Sequence, residues 1–191
     1  MTHPLELQRR NMTEYQQIDN EGNHIIINGV SQMPNYLSEK FLLEEYQELL
    51  QAKQENNQEK IADALGDILI CTAGAGIQHK ISLEYFPKHF HKNQWEVSPT
   101  DNKVDILKTV ELIQNDLSSK HATAQRLYLI WNTIIIEAKE QGFDIEGIYN
   151  AIAENNLARI VYDENGKPKR NEETKKIMRK DMHPDLKSFI L

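Results

Sequence analysis

The sequence has little of several residue types, and each shortage excludes a class of protein. It contains one cysteine, Cys71, so an internal disulfide is excluded, and the apolar residues around Cys71 predict a buried, reduced thiol. Glycine and proline number only 8 and 6 in 191 residues, which favours helices over many short strands joined by tight turns. The first residues lack an apolar signal core, and no apolar run approaches the ~20 residues of a membrane span. We therefore expect a cytoplasmic protein without a membrane partner.

Basic residues are also in the minority. The chain has 29 acidic and 22 basic residues and a formal net charge of −7. A surface that binds a nucleic acid polymer is basic, so this balance argues against such a partner. Small phosphorylated substrates remain compatible, because a bound metal ion reverses the local sign of the field.

Helical periodicity is the main pattern present, and it predicts an all-α helical bundle of five or more helices. We predict one helix from an N-cap at Ser38 to the break "ENNQ", and others over about 59–80, 104–118, 123–141 and 145–160. The β-branched triplet at 25–27 predicts one short strand or hairpin. The length fits a single domain, 1–191, with an N-terminal extension (1–37), an insertion or extra helices (82–142) and a charged tail (163–191) that packs back on the body.

The fourth predicted helix has a wide aliphatic side. This side holds more apolar surface than one small bundle readily covers, and its residues are Leu127, Ile130, Trp131, Ile134 and Ile135. We therefore expect a homodimer or homotetramer.

Five carboxylates fall at helical spacing in the first two of these helices. Residues three and four apart share a helix face, so Glu44, Glu45 and Glu48 lie in one sector, as do Asp63 and Asp67 on the next helix. The short "ENNQ" connection predicts that the two helices are antiparallel neighbours. Two acidic faces then converge, and they repel each other unless a cation lies between them.

An all-oxygen ligand set without cysteine or histidine selects a hard cation, so the pattern predicts Mg²⁺ or Mn²⁺. The alternative that stays open is a solvated acidic face, balanced by Lys40, Lys53 or Lys60.

The segments "EEYQE" and "DALGD" resemble the metal-binding signature of the all-α nucleoside triphosphate pyrophosphohydrolases, the superfamily of MazG, phosphoribosyl-ATP pyrophosphohydrolase and the dimeric dUTPases. Its pattern is EExxE followed by ExxD. The first motif matches Glu44, Glu45 and Glu48, and Asp67 matches the last acidic position. Ala64 stands where the pattern has Glu, and Asp63 lies one residue earlier.

A second segment, "AENNLARIVYDENGKP", resembles the C-terminal helix of the same superfamily. There the resemblance implies that Asn156 and Arg159 reach the phosphates of the substrate. The resemblance covers about residues 38–81 and 143–188.

The resemblance implies a Mg²⁺-dependent enzyme that cleaves a (deoxy)nucleoside triphosphate, such as dUTP, between the α- and β-phosphates. Metal held by the carboxylates would offset charge on the phosphates, with Glu45 as the catalytic base and Lys167 and Lys169 as further phosphate ligands. Two alternatives are a phosphoribosyl-ATP pyrophosphohydrolase and a non-catalytic helical module that retains the fold.

Overall fold

The structure is a computed structural model that describes residues 3–87, 90, 93–97, 102–172 and 176–190. These residues form six α-helices and one two-stranded antiparallel ribbon. The helices are α1 (Pro4–Glu14), α2 (Leu42–Gln54), α3 (Gln58–Gln78), α4 (Ile106–Asn115), α5 (Lys120–Gln141) and α6 (Ile145–Ala158). The strands are β1 (Ile26–Ile27) and β2 (Val30–Ser31), and 3₁₀ turns lie at Leu83–Tyr85 and Lys187–Phe189. The prediction of an all-α bundle of five or more helices is confirmed.

Helix α3 is the centre of the bundle. It packs against α1, α2, α5 and α6, and fifteen of its residues are buried. Its length and apolar composition would allow it to cross a membrane, contrary to our expectation that no stretch comes close, but 83% of its most apolar window is buried within the chain. That burial is what a core helix of a bundle shows. Gly66 and Gly74 allow close packing, because a Cβ at either position would overlap a side chain of Ile152 or Tyr36.

The helix ends follow local capping chemistry. Side-chain oxygens of Asn57, Asp105, Ser119 and Asp144 accept backbone N–H hydrogen bonds at the starts of α3, α4, α5 and α6. Gly142 ends α5 in the left-handed conformation, with a φ of 76°. The predicted N-cap at Ser38 is wrong: α2 begins four residues later and has no side-chain cap.

The N-terminal segment is more ordered than the sequence pattern predicts. Residues 1–37 were expected to contain one hairpin at most, and that hairpin is confirmed by β1 and β2. Helix α1 was not predicted, and it packs on α3 and α6. Its buried residues are Pro4, Gln8, Asn11 and Met12, so half of its inward face is polar and the face gives no continuous apolar stripe.

The apolar side of α5 is covered by the chain itself. The five residues that suggested self-association are each 2% exposed or less. Trp131 packs with Trp95 and Tyr149, with ring centroids 5.5 Å and 5.8 Å away. The reason given for a dimer or tetramer is therefore wrong, and oligomerisation stays a prediction without that support.

The C-terminal segment packs back on the helices, as expected. Leu186 is buried, and Phe143 pairs with Ile190 in an isolated β-bridge. A second bridge joins Ile160, just after α6, to Arg179. The tail thus brings Arg179 beside the end of α6.

Candidate functional site

The acidic residues of α2 and α3 come together, as the helical spacing predicts. The two helices are joined by residues 55–57 and pack closely against each other. Glu44 and Glu48 are exposed, while Glu45, Asp63 and Asp67 are partly buried. Ala64 is 3% exposed and packs in the core. Asp63, one residue earlier, is the carboxylate of this turn of α3 whose charge acts on Glu45 and Asp67.

The electrostatics of the cluster show that these carboxylates face each other. Burial, together with the negative charges of Glu48, Asp63 and Glu44, raises the pKa of Glu45 to about 7. Burial also raises the pKa of Asp67 well above its usual range, and the charges of Glu45, Asp63 and Glu48 act in the same direction. Repulsion of this kind is relieved by protonation or by a cation.

A pocket of about 210 Å³ opens beside Glu45 and Asp67. Its walls come from α1, α2, α3, α6 and the C-terminal tail. They are formed by Gln8, Asn11, Met12, Tyr15, Gln17, Tyr36, Phe41, Glu45, Asp67, Ile70, Cys71, Asn156, Arg159 and Arg179. The pocket therefore joins the acidic cluster to two guanidinium groups and to a set of amide side chains.

Arg159 and Arg179 are held on the cationic side by backbone pairing. The amide N–H of Lys180 donates to the carbonyl of Arg159 at 2.7 Å, and Arg159 Nε donates to the carbonyl of Lys180 at 3.2 Å. The Arg179 guanidinium lies 5.2 Å from the centre of the Tyr15 ring. Arg159 acts electrostatically on Asp67, whose pKa it lowers against the dominant effect of burial. These contacts give the pocket one positive and one negative wall.

The structure brings together seven of the nine residues predicted for the site. The acidic five share one electrostatic cluster, and Asn156 and Arg159 line the adjoining pocket. Lys167 and Lys169 lie on an exposed hairpin that closes through the bridge between Tyr162 and Pro168, and neither lines the pocket.

The sequence pattern did not indicate the α1 side of the pocket. Gln8 and Asn11 are each 3% exposed, and Tyr15 donates a hydrogen bond from its hydroxyl to the carbonyl of Asn156 at 2.6 Å. Arg179 was part of a basic tail with no distinguishing spacing. Residue type alone makes Tyr36, Phe41 and Trp95 candidates for stacking on a base; Tyr36 and Phe41 line the pocket, whereas Trp95 packs against Trp131.

The donor set of the acidic cluster consists of carboxylates alone, which suits a hard divalent cation. Burial and then the repulsion of neighbouring carboxylates raise the pKa of Glu45 and Asp67. As the side chains stand, the described residues contain no group of three or more histidine, cysteine, aspartate or glutamate side chains placed closely enough to hold a metal ion. The chemistry of the residues fits Mg²⁺ or Mn²⁺, which Glu44, Glu45, Glu48, Asp63 and Asp67 would hold.

Comparison with known proteins shows that part of the chain is similar to a known family. Residues 28–94 match the family described as phosphoribosyl-ATP pyrophosphohydrolase. This matched segment includes α2, α3 and all five carboxylates. The chain is also 29% identical over 143 residues to the uncharacterized protein L479 of Acanthamoeba polyphaga mimivirus. That alignment covers 63% of this chain and 57% of the relative. No solved structure matches.

The predicted resemblance at 143–188 lies outside the matched segment and stays a prediction. The match also extends past residue 82, into the segment expected to be an insertion. The match of residues 28–94 to the phosphoribosyl-ATP pyrophosphohydrolase family confirms the predicted resemblance of this segment to the MazG-like nucleoside triphosphate pyrophosphohydrolases.

Proposed function

We propose that this protein is a Mg²⁺- or Mn²⁺-dependent nucleotide pyrophosphohydrolase that cleaves a (deoxy)nucleoside triphosphate between the α- and β-phosphates. The products are a nucleoside monophosphate and pyrophosphate. The match of residues 28–94 supports the reaction class. The observation that carries the proposal is the pocket in which Glu45 and Asp67 face Arg159 and Arg179.

The charges of a triphosphate explain why both walls are needed. The substrate carries about four negative charges, and cleavage gathers more on the departing pyrophosphate. Arg159 and Arg179 supply positive charge directly on one side. On the other side, Glu44, Glu45, Glu48 and Asp67, with Asp63 beside them, would hold the divalent cation. When bound, the cation neutralises phosphate oxygens and makes an otherwise repulsive acidic wall attractive to the substrate.

Glu45 is the residue of this chain best suited to accept the proton of the attacking water. It is partly buried, it lines the pocket, and its pKa is raised to about 7. A carboxylate with such a pKa is a stronger base than an exposed one at neutral pH. Asn156 lines the pocket together with Arg159. Its amide would donate hydrogen bonds to a phosphate oxygen.

The family match favours one other activity, that of a phosphoribosyl-ATP pyrophosphohydrolase. Both substrates contain the same α–β anhydride, so the acidic cluster serves either. Helices α4 and α5, which the matched segment leaves out, favour the nucleoside triphosphate, because a compact pathway enzyme would not need them.

The test is a panel of nucleoside triphosphates and phosphoribosyl-ATP with Mg²⁺ or Mn²⁺, assayed separately for pyrophosphate and for phosphate. We expect metal-dependent release of pyrophosphate and a monophosphate. Release of phosphate, or turnover in the presence of EDTA, would contradict the proposal. Absence of turnover on every substrate would favour a non-catalytic helical module.

A further inference from the structure

The wall of the pocket formed by α1 contains three buried polar atoms without a hydrogen-bond partner. They are Gln8 Oε1, Asn11 Oδ1 and Asn11 Nδ2. Each such atom lowers the stability of the folded protein when it stays unpaired. Gln8 and Asn11 are both buried within the chain and both line the pocket. Helix α1 lies outside residues 28–94, so the family match does not include these unpaired atoms.

The orientation of Gln8 is set by a chain of hydrogen bonds. The hydroxyl of Tyr36 donates to Gln17 Oε1 at 2.7 Å, which leaves the hydroxyl oxygen as an acceptor. Gln8 Nε2 donates to this oxygen at 3.5 Å, so Gln8 Oε1 is left as an unpaired acceptor. The amide of Asn11 offers one acceptor and one donor whichever way it is turned. The wall therefore presents two acceptors and one donor.

A ligand that satisfies this wall has two N–H donors and one acceptor on one edge. Among the natural bases, the Watson–Crick edge of guanine has this composition, with N1–H, the 2-amino group and O6. Uracil and cytosine each offer two acceptors and one donor site, and adenine offers one of each. Phe41, which is partly exposed in the same pocket, supplies an aromatic face beside the amides.

We infer that the α1 wall is a base-recognition subsite and that its preferred ligand is a guanine nucleotide, with Gln8 and Asn11 reading the base edge. This inference rests on the proposed function, because the phosphates of the same nucleotide would lie against Arg159, Arg179 and the acidic cluster. It also replaces uracil, the example base suggested by the family resemblance, with a base that leaves no atom of this wall unpaired.

Binding of α,β-imido triphosphates, which cannot be cleaved at the α–β bond, tests the inference separately from catalysis. Titration calorimetry with the guanine, hypoxanthine, adenine and uracil analogues in Mg²⁺ should give the lowest Kd for guanine. We expect a preference of about tenfold or more over adenine and uracil. Hypoxanthine, which lacks only the 2-amino group, should bind with an intermediate Kd. A wild-type ranking in which guanine is not first overturns the inference without any variant.

Variants then test whether Asn11 and Gln8 cause the preference for guanine. Asn11→Leu and Gln8→Leu remove the amides at similar volume, and each should bring the guanine and adenine Kd values to within about threefold. Thr13→Val is the matched control on the same helix, since its hydroxyl donates to the Arg9 carbonyl and does not line the pocket. It should keep the wild-type ranking.

The outcomes separate the two proposals. Pyrophosphate release combined with a base ranking that both amide variants leave unchanged overturns the subsite and leaves the proposed function standing. Failure of every analogue to bind the wild-type protein contradicts both. Thermal melts of the variants confirm folding, and loss of a buried unpaired amide should keep or raise the melting temperature.

Discussion

The acidic side and the α1 side of the same pocket are built from opposite kinds of sequence. The acidic side consists of charged residues at helical spacing on α2 and α3, and its residues are partly exposed. The α1 side consists of uncharged amides that are almost fully buried, in a helix whose inward face is not apolar. Both sides contain polar groups that the chain alone leaves unsatisfied: repelling carboxylates on one, unpaired amide atoms on the other.

The difference shows which polar sites a sequence pattern can indicate. Charge at helical spacing is visible, because exposed helices seldom concentrate like charges on one face. A buried glutamine and asparagine have no such signature, since amides are common on every surface and periodicity methods look for apolar residues. On both sides, the polar groups would be satisfied by a bound ligand. The predictions below test each side against the other.

The largest effect is expected on the acidic side. Asp67→Asn and Glu48→Gln each remove one negative charge at almost constant volume. Pyrophosphohydrolase activity should fall by about 100-fold or more, or ~3 kcal/mol of transition-state stabilisation, because the cation would be lost. The metal-free protein should keep or gain stability, because burial and neighbouring charges disfavour the ionised form of Asp67.

Glu154→Gln is the matched control, since Glu154 is exposed on α6 and does not line the pocket. It should retain activity within about twofold. Equal losses of activity in Glu154→Gln and in Asp67→Asn would contradict a specific role for the pocket carboxylate.

The α1 side depends on a close approach between α3 and Tyr36. A Cβ on Gly74 would lie 2.7 Å from the Tyr36 ring, while a Cβ on Gly76 would have its nearest neighbour at 3.8 Å. Gly74→Ala should therefore destabilise the protein by about 1–2 kcal/mol, the overpacking cost exceeding the gain in helix propensity. Gly76→Ala should be neutral or stabilising by up to ~1 kcal/mol. Urea unfolding of both variants measures the difference, and equal stabilities would show that Tyr36 is not held in this position.

The structure and the sequence prediction assign different residues to the cationic wall of the pocket. Arg179 lines the pocket, whereas Lys169 is exposed on the hairpin outside it. Arg179→Ala should raise KM for a triphosphate by about tenfold, the effect of losing one charge-assisted contact, and Lys169→Ala should change KM by less than about twofold. Steady-state kinetics on both variants decides between them. A larger effect from Lys169 would favour the phosphate-binding role predicted for this residue from the sequence.

The smallest effect concerns pH. Since the pKa of Glu45 is raised from 4.5 to about 7, the folded state binds more protons than the unfolded state within this interval. The contribution of Glu45 to the free energy of unfolding is therefore fully present below pH 4.5 and is lost as the pH rises through 7. Because Glu45 is partly exposed, we expect a loss on the order of 1 kcal/mol. In EDTA, Glu45→Gln should flatten this decline, and Asn11→Leu should not. Parallel stability–pH curves for wild type and Glu45→Gln would contradict the shift.

Much of the fold and part of the pocket follow from the sequence. Helices α2 to α6 were predicted because their apolar residues recur at helical spacing and turn residues separate them. Helix α1 and the inward turn of Arg179 were not, because they depend on tertiary contacts: amides packed against α3 and α6, and a β-bridge between Ile160 and Arg179. The sequence argument for an oligomer failed for the same reason, since the apolar side of α5 is covered by other parts of the chain.

Melting of the wild-type protein with and without metal tests the central claim most directly. With a metal-bound triphosphate analogue at about 100 times its Kd, stability should rise by about 2.7 kcal/mol, which raises the melting temperature by roughly 5–10 °C. Mg²⁺ or Mn²⁺ alone should give a smaller rise, and a variant combining Glu48→Gln with Asp67→Asn should give none. A wild-type melting temperature that is indifferent to millimolar Mg²⁺ and Mn²⁺, alone and with the analogue, would contradict the metal site and the enzyme together.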